Sequence, residues 1–233
     1  RHLQDGDNLF RLSTGIGTYS IDFFIGDGEE QLVRLIVDTG SPLTAFPCHP
    51  ICSREDCGIH TYDYFDMEKA VKSQGTFQYV NCQECNQILR VHRSCEKKGK
   101  PDPCFVKQVY YEGSSWNAIL VSDIFRIATV VPYPKKSDKS GSYSTGNDII
   151  SISAAKYDVL ARSDPIRYTF GCMNDITGLF KTQIEDGILG LSPGRNNIVS
   201  KYYAQNVIDK NLFSLCLSDD GGIMRSEEHT SEL

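Results

Sequence analysis

The chain has 233 residues, 40% of them hydrophobic and 10% aromatic, which suffices for a substantial core in one large domain or two small ones. A formal net charge of −6 argues against a nucleic-acid-binding surface, so we expect no nucleic-acid partner. The sequence contains no run of about 18 apolar residues, so it predicts no membrane-spanning helix.

The two ends of the sequence carry separate signals. Residues 1–5 include neither an initiator methionine nor an apolar signal segment, so we expect that a signal was removed or that the sequence begins inside its gene. Residues 225–233 resemble the translation of a widely used sequencing-library adaptor, and we predict that they are a foreign tail. The predicted natural part is residues 1–224.

A hairpin is the first predicted element. Residues 17–25 and 31–37 are rich in strand-forming side chains, and Gly26-Asp27-Gly28 between them is typical of a turn. The second arm is an apolar run of the kind found in buried strands. It ends at Asp38.

Asp38 is followed by Thr39, Gly40 and Ser41. A carboxylate at the edge of a core is costly to ionise unless hydrogen bonds or a second group share its charge. Thr39 and Ser41 bring hydroxyls, and Gly40 leaves room for backbone amides to approach the carboxylate. These residues alone fit a plain polar turn equally well.

The nine cysteines concentrate in one stretch. Seven lie between residues 48 and 104, with uneven gaps. Structural zinc sites of the ribbon type need two closely spaced pairs at a regular separation, so the gaps favour disulfides over a zinc-binding module. An odd total leaves one thiol free or paired with chain that this sequence lacks. The disulfide candidates are Cys48, Cys52, Cys57, Cys82, Cys85, Cys95, Cys104, Cys172 and Cys216.

The stretch from about residue 48 to residue 104 shows no sustained helix or strand period. Residues 42–60 lead from the Asp38 turn into a cysteine-rich loop. Residues 61–77 are polar and aromatic, and residues 81–103 are basic and cysteine-rich. We therefore predict an irregular insertion that is held by disulfides rather than by a core of its own.

Residues 106–123 predict a second hairpin. Its tip carries Glu112, Gly113, Ser114 and Ser115, and Tyr110, Tyr111 and Trp116 flank the tip. Such a hairpin can be a structural corner. It can also be a lid whose phenol donates a hydrogen bond into a cleft.

The remainder predicts a mostly β domain. The glycines in residues 186–191 indicate a strand that passes close to another backbone, and residues 196–205 predict the one convincing helix. The further predicted strands are residues 124–131, 149–154, 168–172 and 212–217, and residues 134–147 predict a solvent loop.

Three motifs occur in an informative order: Ile-Val-Asp-Thr-Gly-Ser at 36–41, Tyr-Tyr-Glu-Gly-Ser-Ser-Trp at 110–116 and Asp-Gly-Ile-Leu-Gly-Leu at 186–191. Together they resemble the N-terminal lobe of a pepsin-like (family A1) aspartic protease, over nearly all of residues 15–224. Phe-Gly-Cys at 170–172 and Phe-Ser-Leu-Cys-Leu at 213–217 are similar to the nepenthesin branch. Phe-Pro-Cys at 46–48, the Cys-rich insertion and Glu-Gly-Ser at 112–114 are similar to that branch and to the plasmepsin V type.

The resemblance implies a mostly β, pepsin-like acid protease fold with the N-terminal lobe only, residues 1–224. It implies peptide-bond hydrolysis without metal or cofactor, in which two aspartates share one proton across a water molecule. Asp38 would be one of the two. The hydroxyl of Thr39 would tie the two active-site loops together, and Ser41 would hydrogen-bond the carboxylate next to Gly40.

The hairpin at 106–123 would be the flap over the substrate, with Gly113 and Ser114 at its tip. Counting from Glu-Gly-Ser makes Tyr110 the flap tyrosine, and counting back from Trp116 makes it Tyr111; we favour Tyr110. Many family members carry a supporting tryptophan where this chain has Ala45, so we expect Trp116 to supply the indole donor. The resemblance also implies a Cys172–Cys216 disulfide.

A second Asp-Thr-Gly or Asp-Ser-Gly is absent from the sequence. We therefore expect that the natural protein has a C-terminal lobe that this chain lacks, that any membrane anchor lies there, and that this chain alone is inactive unless it forms a homodimer with two copies of Asp38. The expected partner is a peptide or protein substrate. The expected location is the secretory pathway, whether secreted, vacuolar, lysosomal or in the endoplasmic reticulum. The alternative is a catalytically dead pepsin-fold binding or inhibitor protein.

Overall fold

A computed structural model describes residues 9–73, 75–90, 103–130 and 160–226. The strands found there are β1 (Leu9–Thr14), β2 (Tyr19–Ile25), β3 (Gln31–Asp38), β4 (Ala45–His49), β5 (Phe65–Asp66), β6 (Gln78–Tyr79), β7 (Phe105–Val109), β8 (Ser115–Val130), β9 (Leu160–Arg162), β10 (Ile166–Thr177), β11 (Gly187–Gly190), β12 (Ser214–Ser218) and β13 (Gly221–Arg225). The helices are α1 (Arg54–Cys57), α2 (Met67–Lys72), α3 (Cys82–Leu89), α4 (Ile198–Ala204) and a short 3-10 helix, Gly178–Lys181. The predicted strand at 149–154 and loop at 134–147 lie outside these ranges.

The predicted first hairpin is confirmed. β2 and β3 pair antiparallel, with Ser20 opposite Ile36 and Ile25 opposite Gln31. The side chains of Asp22 and Arg34 face each other across this pair and form a salt bridge of 2.7 Å. The pairing carries Asp38 to the end of the sheet.

The strands of the described residues form one mixed sheet, whose main path has the order β12-β13-β1-β2-β3-β11-β4-β10-β8-β6. Off this path, β5 pairs with β4, and β7 and β9 each pair with β8. β11 runs parallel to β3 and lies between β3 and β4. A Cβ on Gly190 would lie 2.5–2.7 Å from backbone atoms of Leu43, which is closer than any side chain tolerates. The close backbone approach that the glycines predicted is therefore present, and the mostly β fold is confirmed.

An aromatic core lies beneath the central strands. The rings of Phe46 and Phe170 stack with centroids 4.8 Å apart, and Phe65 meets Phe170 edge-on at 5.6 Å. Phe125 contacts Phe46 and Phe170 as well. These rings join β4, β5, β8 and β10, so they fix the strands that carry both the Asp38 turn and the flap.

The predicted Cys172–Cys216 disulfide is wrong. Cys172 is bonded to Cys48, because β4 and β10 are parallel neighbours and bring the two Cα atoms to 5.2 Å. Cys216 lies on β12, opposite Ile223 of β13, and its thiol is free and exposed. Three disulfides join described residues: Cys48–Cys172, Cys52–Cys57 and Cys85–Cys104. Cys82 is also disulfide-bonded, and Cys95 lies outside the described residues.

The insertion contains three helices that the sequence analysis did not predict. Each begins at a capping side chain: Ser53 accepts from the Asp56 amide, Asp66 from the Glu68 and Lys69 amides, and Asn81 from the Glu84 amide. At four to eight residues, α1, α2 and α3 are too short to show a helical period. Met67 and Ala70 of α2 pack into the main core.

The C-terminal part agrees with the predicted helix at 196–205, since α4 begins after Asn197, whose side chain accepts from the Ser200 amide (2.8 Å). Arg225 is the last residue of β13, so this strand extends one residue into the predicted tail. Residues 227–233 lie outside the described part. Within the described ranges, no helix is both long and apolar enough to cross a bilayer.

Candidate active site

Asp38 is held by its own turn. The amide of Gly40 donates to Asp38 Oδ1 (2.8 Å), and the hydroxyl of Ser41 donates to Asp38 Oδ2. The Asp38 side chain is half-buried, whereas Ser41 is almost fully buried. Two donors of the turn therefore fix the carboxylate in one orientation while part of it still faces solvent.

Backbone bonds from the strand next to Asp38 fix the turn itself. Gly190 of β11 lies opposite Asp38, and the amide of Leu191 donates to the Asp38 carbonyl (2.8 Å). The amide of Ser192 donates to the Ser41 carbonyl (3.0 Å). The motif at 186–191 thus serves as the rigid support of the Asp38 turn.

The flap places a phenol on the same turn. The hydroxyl oxygens of Tyr110 and Ser41 lie 2.9 Å apart, and the indole N–H of Trp116 donates to the Tyr110 hydroxyl (3.3 Å). Because the single proton of Ser41 goes to Asp38, Tyr110 must donate to Ser41 and accept from Trp116. The result is one directed chain of hydrogen bonds from Trp116 through Tyr110 and Ser41 to Asp38.

The flap tip is a tight turn that separates the two candidate tyrosines. The amide of Tyr110 donates to the Ser114 carbonyl (2.8 Å), and the amide of Gly113 donates to the Tyr110 carbonyl (3.0 Å). Gly113 has a φ of +94°, which favours glycine. This turn points Tyr110 inward and leaves Tyr111 fully exposed, so the structure brings Tyr110 and not Tyr111 to the Asp38 turn.

The tip of the flap is tied to the 3-10 helix. The hydroxyl of Ser114 accepts from the Leu179 amide (3.0 Å), and the Tyr110 ring packs on Phe180 with centroids 5.1 Å apart. A Cβ on Gly178 would lie 2.5 Å from Ser114 Oγ. Sequence analysis missed Phe180 because residues 178–181 carry no recognisable pattern.

Burial raises the pKa of the Tyr110 phenol, with the hydrogen bonds to Ser41 and Trp116 acting in the opposite direction. The phenol therefore stays protonated through the neutral and acid range and remains a donor toward Ser41. Trp116, which is 1% exposed, is held in the same apolar cluster as Phe180.

The motif at 186–191 also carries a buried carboxylate, that of Asp186. Asp186 accepts hydrogen bonds from the backbone amides of Arg34 (2.6 Å) and Tyr62 (2.9 Å), so it links β3 to the insertion. Desolvation by burial raises the pKa of Asp186 to about 7. The sequence marked Asp186 as part of a motif but gave no sign of this structural role.

The remaining predicted site residue, Thr39, lies exposed on the turn, and its side chain makes no hydrogen bond to the part of the chain that the structure describes. Within that part, no three His, Cys, Asp or Glu side chains come together to form a metal site.

This combination of fold, carboxylate turn and flap defines the N-terminal lobe of a pepsin-like aspartic protease. The chain belongs to the family described as "Xylanase inhibitor N-terminal", which matches residues 19–225. It is similar to Aspartic protease 5 of Toxoplasma gondii, with 28% identity over 224 residues. It is also similar to Plasmepsin V of Plasmodium falciparum, with 27% identity over 209 residues in both isolate 3D7 and isolate NF54. These similarities support the predicted resemblance to the plasmepsin V type.

Each of these matches covers 88% of this chain. The chain spans only 19% of the length of Aspartic protease 5 and 28% of the length of Plasmepsin V.

Proposed function

We propose that this chain is the N-terminal lobe of a two-lobed aspartic endopeptidase, in which Asp38 is one of two catalytic aspartates. The observation that carries the proposal is the carboxylate of Asp38, which is oriented by Gly40 and Ser41 directly beneath the flap tyrosine. A plain polar turn does not require the half-buried phenol of Tyr110 and the buried indole of Trp116 that lie against this one.

In this mechanism Asp38 and its twin share one proton across a water molecule. The ionised member accepts a proton from the water as it attacks the peptide carbonyl, and the protonated member donates to the carbonyl oxygen. Ser41 and the Gly40 amide keep the Asp38 carboxylate oriented, and Tyr110 closes the cleft over the bound peptide.

The second lobe is the partner that the proposal requires. Thr39 is exposed at the tip of the catalytic turn, as expected if its hydroxyl pairs with the matching loop of that lobe. This chain alone then has half a cleft and one catalytic carboxylate, so it is inactive.

The disulfides support a place in the secretory pathway, since such bonds persist in oxidising compartments. The substrates are peptides or proteins that enter or reside in that pathway.

The second candidate function is a catalytically dead binding or inhibitor protein of the same fold. The observation on its side is the family description, which names an inhibitor. The aspartate position of the second lobe separates the two functions, because only the enzyme needs a carboxylate there.

The test is to obtain the full-length transcript and express the protein that it encodes. The proposal expects Asp-Thr-Gly or Asp-Ser-Gly in the second half and hydrolysis of peptides at acid pH by the full-length protein. If the second half has a residue other than aspartate at the catalytic position and the protein hydrolyses no peptide, the protease proposal is overturned in favour of the binding protein. Hydrolysis by the 233-residue chain alone would overturn the two-lobe proposal in favour of a homodimer.

A further inference from the structure

A groove of about 790 Å³ opens beside the catalytic turn, and the chemistry proposed above makes no use of it. Pro42 and Leu43, which directly follow Ser41, line one side. Ser192, whose amide donates to the Ser41 carbonyl, lines it too, as does Gln108, two residues before Tyr110. The groove therefore begins next to the residues that hold Asp38.

The Cys-rich insertion forms a wall of this groove. Residues 87–90, at the C-terminal end of α3, are among the residues that line it. The side-chain amide of Asn196 donates to the Ile88 carbonyl (3.0 Å), which joins the helix end to the loop after β11. The Cys85–Cys104 disulfide fixes α3 to the start of β7. The wall is thus anchored on two sides.

The charge of the groove has one sign. Arg90, Lys107 and Arg195 line it and are exposed, and none of the three forms an ion pair with a described residue. The described residues that line the groove include no aspartate or glutamate. Three uncompensated cations around a concave surface attract carboxylates and select against cationic ligands.

The strand and the apolar side chains that line the groove suit an extended peptide. β7 pairs with β8, and no other described strand pairs with its other edge, which is the kind of edge that an extended peptide adds to. Leu43, Ile88, Leu89 and Val106 supply apolar contacts between the cations. A peptide that pairs with β7 would continue from the space under the flap into the groove.

We propose that this groove, with α3 of the Cys-rich insertion as its wall, binds an acidic stretch of the peptide substrate that lies a few residues from the scissile bond. The inference rests on the proposed endopeptidase function, because only then does an extended peptide pass Asp38 and β7. It gives the insertion a role in substrate selection.

The test uses the full-length protein with Asp38→Asn, so that bound peptides are not cleaved. Fluorescence anisotropy measures the binding of an Asp-rich peptide and of a counterpart in which every Asp is Asn. We expect about tenfold tighter binding of the acidic peptide at low salt, because each exposed charge pair contributes modestly. The difference should shrink at high salt, where such pairs are screened.

The variant R90E/K107E/R195E should lose or reverse this preference, and Lys210→Glu, which reverses an exposed charge outside the groove, should keep it. If the triple variant does not fold, Lys107→Gln and Arg195→Gln should each reduce the preference about two- to fivefold. Equal affinity for the two peptides, or a preference that survives these changes, would overturn the inference.

Hydrolysis by the wild-type full-length protein is measured in parallel and reports on the proposed function separately. If the wild-type protein hydrolyses peptides but the binding assay shows no preference for the acidic peptide, only the proposed role of the groove in substrate selection is overturned. Absent hydrolysis together with an acidic preference that the groove variants abolish overturns the endopeptidase and supports the groove as a site for acidic peptides.

Discussion

The indole N–H of Trp116 donates to the hydroxyl of Tyr110 across 3.3 Å, and both residues belong to the same hairpin. This chain therefore supports its flap tyrosine from within the flap. Ala45, at the position where relatives of this fold often carry the supporting tryptophan, is fully buried in the core instead.

The first prediction concerns this indole. Trp116→Phe removes the donor and leaves the Tyr110 hydroxyl free to rotate away from Ser41. A buried neutral hydrogen bond contributes about 1 kcal/mol, so we expect kcat/KM of the full-length protein to fall about fivefold. The measurement is peptide hydrolysis at acid pH. An unchanged kcat/KM in a folded variant would show that the indole does not support the flap.

The second prediction separates the two tyrosines. Tyr110→Phe removes the donor to Ser41 and should lower kcat/KM about tenfold, because the Asp38 turn loses a link of its hydrogen-bond chain. Tyr111→Phe removes only an exposed hydroxyl and should change kcat/KM by less than about twofold. The reverse order of effects would assign the flap role to Tyr111.

The third prediction concerns the Cys48–Cys172 disulfide. This bond closes a loop of 124 residues, so replacing both cysteines by alanine should lower the free energy of unfolding by about 2–5 kcal/mol. Cys216→Ser is the matched control and should have little effect, because its thiol is exposed and unpaired. Urea denaturation measures both. A large loss of stability in Cys216→Ser alone would contradict the Cys48–Cys172 bond and support a Cys172–Cys216 disulfide.

The fourth prediction concerns pH and Asp186. Burial raises the pKa of Asp186 in the folded state to about 7, whereas an unfolded aspartate titrates near 4. The folded state therefore binds the proton more tightly, so the contribution of Asp186 to stability is greatest below about pH 4 and is lost as the pH rises to about 7.

The measurement for Asp186 is the free energy of unfolding between pH 4 and pH 7 for wild type and Asp186→Asn. Position 186 of the variant cannot ionise. The free energy of unfolding of wild type, relative to that of the variant, should therefore fall by about 2–4 kcal/mol between pH 4 and pH 7. Asp209→Asn, at an exposed aspartate, controls for the loss of a surface charge. A difference in the free energy of unfolding between wild type and variant that stays constant with pH would contradict the raised pKa of Asp186.

The parts of the site that could be predicted from the sequence are those that local residues build. The β2–β3 hairpin, the turn after Asp38 and the flap tip each depend on neighbours within a few positions, so their residues carry the signal. The inward direction of Tyr110 also follows from the local turn that Gly113 closes.

The parts that could not be predicted depend on distant partners or on very short elements. Cys48 and Cys172 meet because β4 and β10 are neighbours in the sheet, an order that no local pattern encodes. Ser114 contacts Leu179 from 65 residues away. The helices of the insertion are set by capping side chains and disulfides rather than by a repeating apolar face.

The most direct test of the account compares Asp38→Asn with wild type in the full-length protein. The variant keeps the size of the side chain but cannot act as a base, so we expect kcat for peptide hydrolysis to fall at least about a hundredfold while the protein remains folded. Asp209→Asn, at an exposed aspartate, should retain wild-type activity. Hydrolysis that persists at the wild-type rate in the Asp38 variant would contradict the assignment of Asp38 as a catalytic aspartate.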